Sequence, residues 1–168
     1  MSDHAGSDTT NDGWDAIDAS LARLYPGQQP RHVGTVLRAS MGGGDPLDGI
    51  SVYRSTQGLP HWHYVTYGLS ELYGKESGDP DDSGYGLELT LRLLALPGET
   101  EAPSWPFNFL HNLARYVFRT GNVFADGHWM TANGPIALGT PTDICSMAFA
   151  SDPELPAIDT VNGRVEFL

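Results

Sequence analysis

Residues 60–68 read PHWHYVTYG, a run of aromatic and β-branched side chains bounded by proline and glycine. That composition and those boundaries describe a β-strand. Successive strand side chains point to opposite faces, so His61, His63, Val65 and Tyr67 share one face and Trp62, Tyr64 and Thr66 the other. The two imidazoles raise a choice between a metal site and two rings that pack and hydrogen-bond. A mononuclear site needs three or four ligands, and the best available set is His61, His63 and a carboxylate such as Glu88 from a neighbouring strand. No HExxH motif and no third spaced histidine supports that set. The pair therefore reads as structural and no metal is expected, with a small metal-dependent enzyme as the rival reading.

Outward from this strand the pattern stays strand-like upstream. HVGTVLRA (32–39), the turn region GGGDPLDG (42–49) and ISVYRS (50–55) are each bounded by Gly, Pro or Asp, which predicts an antiparallel meander. Downstream, SELYGKESGDPDDSG (70–84) reads as an acidic turn-rich loop. GYGLELTLRLLAL (84–96) then reads as the longest strand, with Tyr85, Leu87, Leu89, Leu91 and Leu93 on one face and Gly86, Glu88, Thr90 and Arg92 on the other.

Two segments carry helical spacing. In 13–27, Trp14, Ile17, Leu21 and Leu24 form a stripe, Asp12 is placed to cap, Asp15 and Asp18 suit the positive end, Arg23 the negative end, and Pro26-Gly27 stops the helix. After the loop PGETEAPSWP, Phe107, Leu110, Leu113, Ala114, Val117 and Phe118 form a second stripe, with Pro106 in the first turn and Gly121 at the end. VFADGHWM (123–130) and DICSMAFA (143–150) read as further strands. AIDTVNGRVEFL (157–168) reads as a hairpin whose Asn162-Gly163 signals a type I′ turn.

With 168 residues the chain is expected to form one domain, 13–168, behind a flexible leader, 1–12. One cysteine, Cys145, excludes an intrachain disulfide framework, and no apolar run approaches the ~20 residues of a membrane span. The polar start lacks the basic and apolar regions of a signal peptide, so a cytoplasmic location is expected. Twenty-one acidic residues oppose nine basic ones, a net charge of -12, and Lys75 is the one lysine. Scattered arginines without a basic block argue against nucleic acid, while an acidic surface suits a cationic partner.

Other candidate chemistry gives way to turn and packing roles. MGGGDPLDG (41–49) lacks the GKS/GKT ending of a phosphate loop, and Asp45 and Asp48 precede Pro and Gly as turn residues do. Cys145 lies in an apolar run and is expected to be a buried inert thiol, and no GxSxG elbow exists. Asp79, Asp81 and Asp82 read as a solvated loop. No catalytic residue is expected.

The ordered set LYPGQQP, GGGDPLDGISVYRS, PHWHYVTYGLSELYG, SGYGLELTLRL, SWPFNFLHNLARYVF and ASDPELP resembles the suppressor of fused family, from about Gly13 to the end. The short acidic loop between Lys75 and Ser83 is similar to compact bacterial members. The resemblance implies an α+β domain: a mixed, largely antiparallel curved sheet flanked by two main helices, with no enzymatic activity and no cofactor. It also implies a protein or peptide partner. Animal members grip an extended peptide of zinc-finger transcription factors between two domains, and bacterial members resemble immunity proteins that neutralise polymorphic toxins; the net charge of -12 would suit a cationic toxin. Tyr116 matches the family tyrosine that lines the peptide groove. His128 falls on or beside an acidic position of the animal groove, and Ser151 stands where an acid precedes the DP, so charge-assisted contacts to the animal peptide would be missing. The chain also resembles the N-terminal part of a larger peptide-binding regulator.

Overall fold

The computed structural model describes residues 10–36, 43–137 and 139–168. Strands β1 (Arg31–Gly34), β2 (Gly49–Ser55) and β3 (His61–Tyr67) form the expected antiparallel meander, and β5 (Thr90–Leu94) pairs antiparallel with β3, giving the order β1-β2-β3-β5. The PHWHYVTYG stretch is thus an inner strand, with both faces covered. Trp62 and Tyr64 pack with Leu110, Leu113, Ala114 and Val117 of helix α2 (Trp105–Thr120). On the opposite face, Val65 and Tyr67 pack with Ile17 and Leu21 of helix α1 (Asp12–Leu24). The alternation of one strand therefore sets the layer order helix, sheet, helix.

The single long strand expected over 84–96 is two strands in two sheets. β4 (Asp82–Glu88) pairs in parallel with β9 (Gly163–Phe167), which pairs antiparallel with β8 (Ile158–Thr160). The break falls at Leu89, whose N–H donates to the Thr66 hydroxyl at 2.8 Å rather than to a backbone carbonyl. Leu168 spans the break, its N–H donating to Glu88 O and its carbonyl accepting from Thr90 N–H. The two remaining strands are shorter than the sequence suggests. β6 (Trp129–Thr131) and β7 (Ser146–Ala148) form a two-stranded sheet whose Met130 and Met147 pack on the α2 core. β1 ends at Gly34, and residues 37–39 of its expected extension lie outside the described residues, as do residues 1–9 of the expected leader.

Local signals are met with several corrections. Asp12 does not cap α1: the N-cap is Asn11, without a side-chain cap, and the amides of Gly13 and Trp14 donate instead to Leu72 O at 3.0 and 3.2 Å. A tertiary carbonyl thus satisfies the orphan donors. α2 ends as expected at Gly121, with φ 71°. Phe118 does not join the buried stripe but is 48% exposed. The hairpin turn is not type I′, because Thr160 pairs with Gly163 and leaves Val161 and Asn162 at its centre. Among the described residues only glycines have positive φ, so Asn162 cannot supply the left-handed angle that type I′ needs. Asn162 donates its side-chain amide to Glu71 O at 2.9 Å instead. Cys145 is exposed, not buried, because it lies just outside the short β7.

Glu88 is fully buried at the corner between the two sheets. Its carboxylate accepts from the Thr66 hydroxyl (2.6 Å), Gly68 N–H (2.8 Å), Ser70 N–H (2.9 Å) and the Ser70 hydroxyl (2.7 Å). Burial outweighs these four bonds and pushes its pKa up to about 7. A carboxyl that binds its proton more tightly when folded favours the native state at low pH, and that benefit falls as pH rises from about 4.5 to 7. Glu88→Gln is expected to flatten this slope, removing roughly 3 kcal/mol of pH dependence in urea denaturation between pH 4.5 and 8. An unchanged slope would show that Glu88 does not titrate there. At α1, a Cβ on Gly13 would lie 2.1 Å from Glu71 O, so Gly13→Ala is expected to cost about 3 kcal/mol. A wild-type denaturation midpoint would refute that packing.

Candidate functional site

The face of β3 that carries the two histidines holds a closed polar network rather than a ligand set. His61 is held to Leu59 O at 2.9 Å through Nδ1, and since a carbonyl only accepts, Nδ1 carries the proton. Its Nε2 then accepts from the Arg92 guanidinium at 2.9 Å. His63 is fully buried; Tyr25 O–H meets its Nδ1 at 2.9 Å, and its Nε2 lies 3.3 Å from Asp152 Oδ2. A carboxylate facing Nε2 fixes the tautomer with the proton on Nε2 and Tyr25 as donor to Nδ1. Burial holds His63 below its usual pKa.

Three of the four ring nitrogens are thus hydrogen-bonded, the fourth, His63 Nε2, faces the Asp152 carboxylate at ion-pair distance, and a cationic guanidinium sits beside them. Glu88, the third member of the hypothetical metal set, points with Thr66 to the other face of the strand. Among the described residues, no three His, Cys, Asp or Glu side chains converge as metal ligands. Asp45 and Asp48 are likewise separated by function: Asp45 pairs with Arg115 (2.7 Å) and faces His111 (3.3 Å), while Asp48 accepts from Tyr73 O–H. Asp79 accepts from the amides of Asp81 and Asp82 and so serves its own loop.

Asp152 anchors the network. It takes a bidentate contact from Arg92 (3.1 and 2.8 Å) and further bonds from Thr90 and the amides of Glu154 and Leu155. Burial alone would raise this carboxyl, but the bonds from His63 and Arg92 prevail and hold it well below the usual carboxylate range. The sequence reading missed this residue, although Asp-Pro after an exposed strand signals a turn in which an aspartate bonds nearby amides.

Tyr116 stands elsewhere, on the outer side of α2, 37% exposed. Its ring stacks on Phe124 (5.6 Å between centroids, 15°), which stacks on Phe149 (4.0 Å, 11°). Two open grooves meet at this ring. One, about 440 Å³, runs between Trp105, Asn108 and Asn112 of α2 and Met130, Asn133 and Ile136 opposite. The other, about 750 Å³, is bounded by Asn122, Val123, Phe124, His128 and Trp129. Trp129 is 73% exposed and Val123 is also exposed. His128 therefore shares a groove with Tyr116, whereas Ser151 lines a separate cavity between β5 and residues 147–153. Among the described residues, neither groove at Tyr116 is lined by an acidic side chain. Trp129 was not distinguishable from a core aromatic by sequence, because exposure follows from the shortness of β6.

A family model described as suppressor of fused protein matches residues 43–168. The chain is 38% identical over 167 residues to the Suppressor of fused homolog of Homo sapiens, and equally to that of Mus musculus, over 93% of this chain and 34% of each relative. It spans about a third of the length of these relatives. The crystal structure of Drosophila Suppressor of Fused matches with a TM-score of 0.88 and 34% identity, over 94% of this chain and 41% of that one. The Sufu-Fu complex crystal structure matches with a TM-score of 0.84 and 35% identity, over 94% of this chain and 74% of that one. Among the described residues no helix is long and apolar enough to cross a membrane.

The network makes a stability prediction. Asp152→Asn leaves the half-buried Arg92 against a neutral amide and removes the charge that His63 faces, and is expected to cost about 3 kcal/mol at pH 7. Because the Asp152 carboxyl is held low when folded, its contribution is present above the ordinary carboxylate pKa and lost as pH falls below it. The variant should therefore converge on the wild type in acid, as urea midpoints across pH 2–7 would show. Equal midpoints at pH 7 would refute the role.

Proposed function

This chain belongs to the suppressor of fused family, and on that premise we propose that it is a non-catalytic protein-binding domain whose partner docks over Tyr116. The observation that carries the reading is the exposed aromatic ledge: Tyr116 stacked on Phe124, with Trp129 and Val123 beside it, at the meeting of two open grooves. Exposed aromatics over a rigid core are what protein interfaces use as anchors. Three stacked rings tie this ledge to the core through Phe149, so little ordering accompanies binding.

The finer reading is an immunity protein that neutralises a cationic toxin by binding it in the cytoplasm. Its support is the net charge of -12, which speeds encounter with a basic partner, together with the resemblance to compact bacterial members. A second reading, the N-terminal part of a larger peptide-binding regulator, is favoured by coverage of only 34% of the relatives. Co-expression with proteins encoded beside the gene separates the two. Immunity predicts rescue of growth from an adjacent toxin and co-purification with it; no rescue by this domain from any neighbour counts against immunity.

Tyr116→Ala and Trp129→Ala are each expected to weaken the captured partner about tenfold or more while leaving the denaturation midpoint nearly unchanged. Wild-type affinity in both variants would move the interface away from the ledge.

A further inference from the structure

The dipeptide Asn-Gly occurs twice in the chain, at 133–134 and at 162–163. It is the asparagine context most open to one spontaneous reaction, because a glycine that follows has no side chain to shield its amide nitrogen from the asparagine carboxamide. The two copies stand in opposite surroundings. Asn133 is exposed in the loop after β6, and among the described residues no hydrogen bond engages its side chain or the Gly134 N–H. A Cβ built on Gly134 would meet nothing within 4 Å, so the backbone there has open space beside it.

Asn162 is 4% exposed and donates its carboxamide to Glu71 O at 2.9 Å. Its own backbone is held too, the N–H donating to Thr160 Oγ1 at 3.1 Å and the carbonyl accepting from Lys75 Nζ at 2.8 Å. Gly163 is pressed against the chain at 81–83, where a Cβ would lie 2.6 Å from the Asp82 carbonyl carbon and 2.8 Å from Ser83 N. Attack by the Gly163 nitrogen on the Asn162 carboxamide therefore requires the hairpin tip to open first. At Asn133 no bond has to break. Asn133 also lines the groove of about 440 Å³ beside Tyr116, opposite Trp105 and Asn108, where no acidic side chain is found among the described residues.

We propose that Asn133 is a site of spontaneous deamidation, chosen over Asn162 by the fold, and that its conversion puts a carboxylate into the groove at Tyr116. The Gly134 nitrogen attacks Asn133 Cγ and closes a succinimide ring. The bond from Cγ to the side-chain nitrogen breaks, and that nitrogen leaves as ammonia with the proton given up by Gly134. Water then opens one of the two ring carbonyls, leaving aspartate or isoaspartate. The exchange is one water taken up for one ammonia released, with no oxidant or reductant, and it adds one negative charge to a chain of net charge -12. One consequence rests on the protein-binding reading: a basic partner docked at Tyr116 gains a nearby opposite charge, and its affinity becomes salt-dependent.

The test ages the whole chain at mildly alkaline pH, folded and in concentrated urea, and follows both asparagines by peptide mapping with mass spectrometry. In the folded chain Asn133 is expected to convert at least about tenfold faster than Asn162, whose hydrogen bond to Glu71 and packed turn must open first. In urea the two rates should converge. In an Asn133→Asp variant, the NMR signals of the Trp105 indole N–H and the Asn108 side-chain amide should move through the pH range where an aspartate titrates, beyond any movement in the wild type. Equal rates in the folded chain, or conversion of Asn162 first, overturn the choice made by the fold. Groove signals that ignore Asn133→Asp remove the carboxylate from the groove. A partner whose affinity ignores Asn133→Asp, Tyr116→Ala and Trp129→Ala sinks docking at this groove and leaves the deamidation site standing. An Asn133 that never converts, with a partner that needs Tyr116, does the reverse.

Discussion

The buried carboxylate of Asp152 is the contact on which the assembly of this fold turns. One side chain, 1% exposed, joins β5 through Arg92 and Thr90, β3 through His63, and its own turn through the amides of Glu154 and Leu155. Its backbone N–H meets Phe167 O and so reaches β9. His63 extends the chain of bonds to Tyr25, just past the end of α1. Ionised groups taken out of water cost several kcal/mol unless geometry and further hydrogen bonds offset the loss. Here the offset comes from a bidentate guanidinium and two amides together, which explains why elements more than 100 residues apart in sequence meet in one arrangement.

Glu88 shows the same physics with the opposite sign. It too is buried and takes four hydrogen bonds, but all its donors are dipoles and none is a cation. Desolvation therefore prevails at Glu88, whereas at Asp152 the bonds from His63 and Arg92 prevail. The location matters as much as the sign. Glu88 sits where an apparently continuous strand divides, and its bonds to Gly68 and Ser70 hold the loop after β3 against the second sheet. A hydrophobic residue there would leave the two amides and two hydroxyls of that corner without acceptors.

The sequence showed the elements better than their connections. Alternation in PHWHYVTYG correctly separated the two faces of β3, and that separation alone defeats the metal set, since Glu88 pairs with Thr66 on the face away from the histidines. Helical spacing found both helices, and Gly121 marked the end of α2. Three features escaped because they depend on partners distant in the chain. Leu72 O, not Asp12, caps α1; Leu168 spans the break at Leu89; and Asn162 turns its amide to Glu71 rather than adopting the left-handed angle of an Asn-Gly hairpin. Cys145 was misread because an apolar run looked like a long strand, yet only Ser146–Ala148 pairs. At the candidate site, Tyr116 was reached through the family pattern, while Trp129 and Phe118 were invisible as surface groups because periodicity cannot tell a buried aromatic from an exposed one at an element's edge.

The distribution of charge bears on how a strongly acidic chain would meet the partner proposed for it. The carboxylates that lie deepest are committed to structure: Asp152 to Arg92, Glu88 to amides and hydroxyls, Glu71 to its own loop. Among the described residues the grooves at Tyr116 carry none, so a partner docked there would be discriminated by shape and apolar fit, with a strength that changes little with salt. Exposed carboxylates elsewhere, as in the 76–82 loop, act at longer range and are screened within about a Debye length of ~8–10 Å, while Asp126 lies in the segment beside the ledge and accepts from Ser151 N–H. On the proposed protein-binding reading, charge would govern how fast a basic partner arrives and the aromatic ledge how long it stays. The polar groups that first suggested chemistry, His61 and His63, are engaged in holding the domain together.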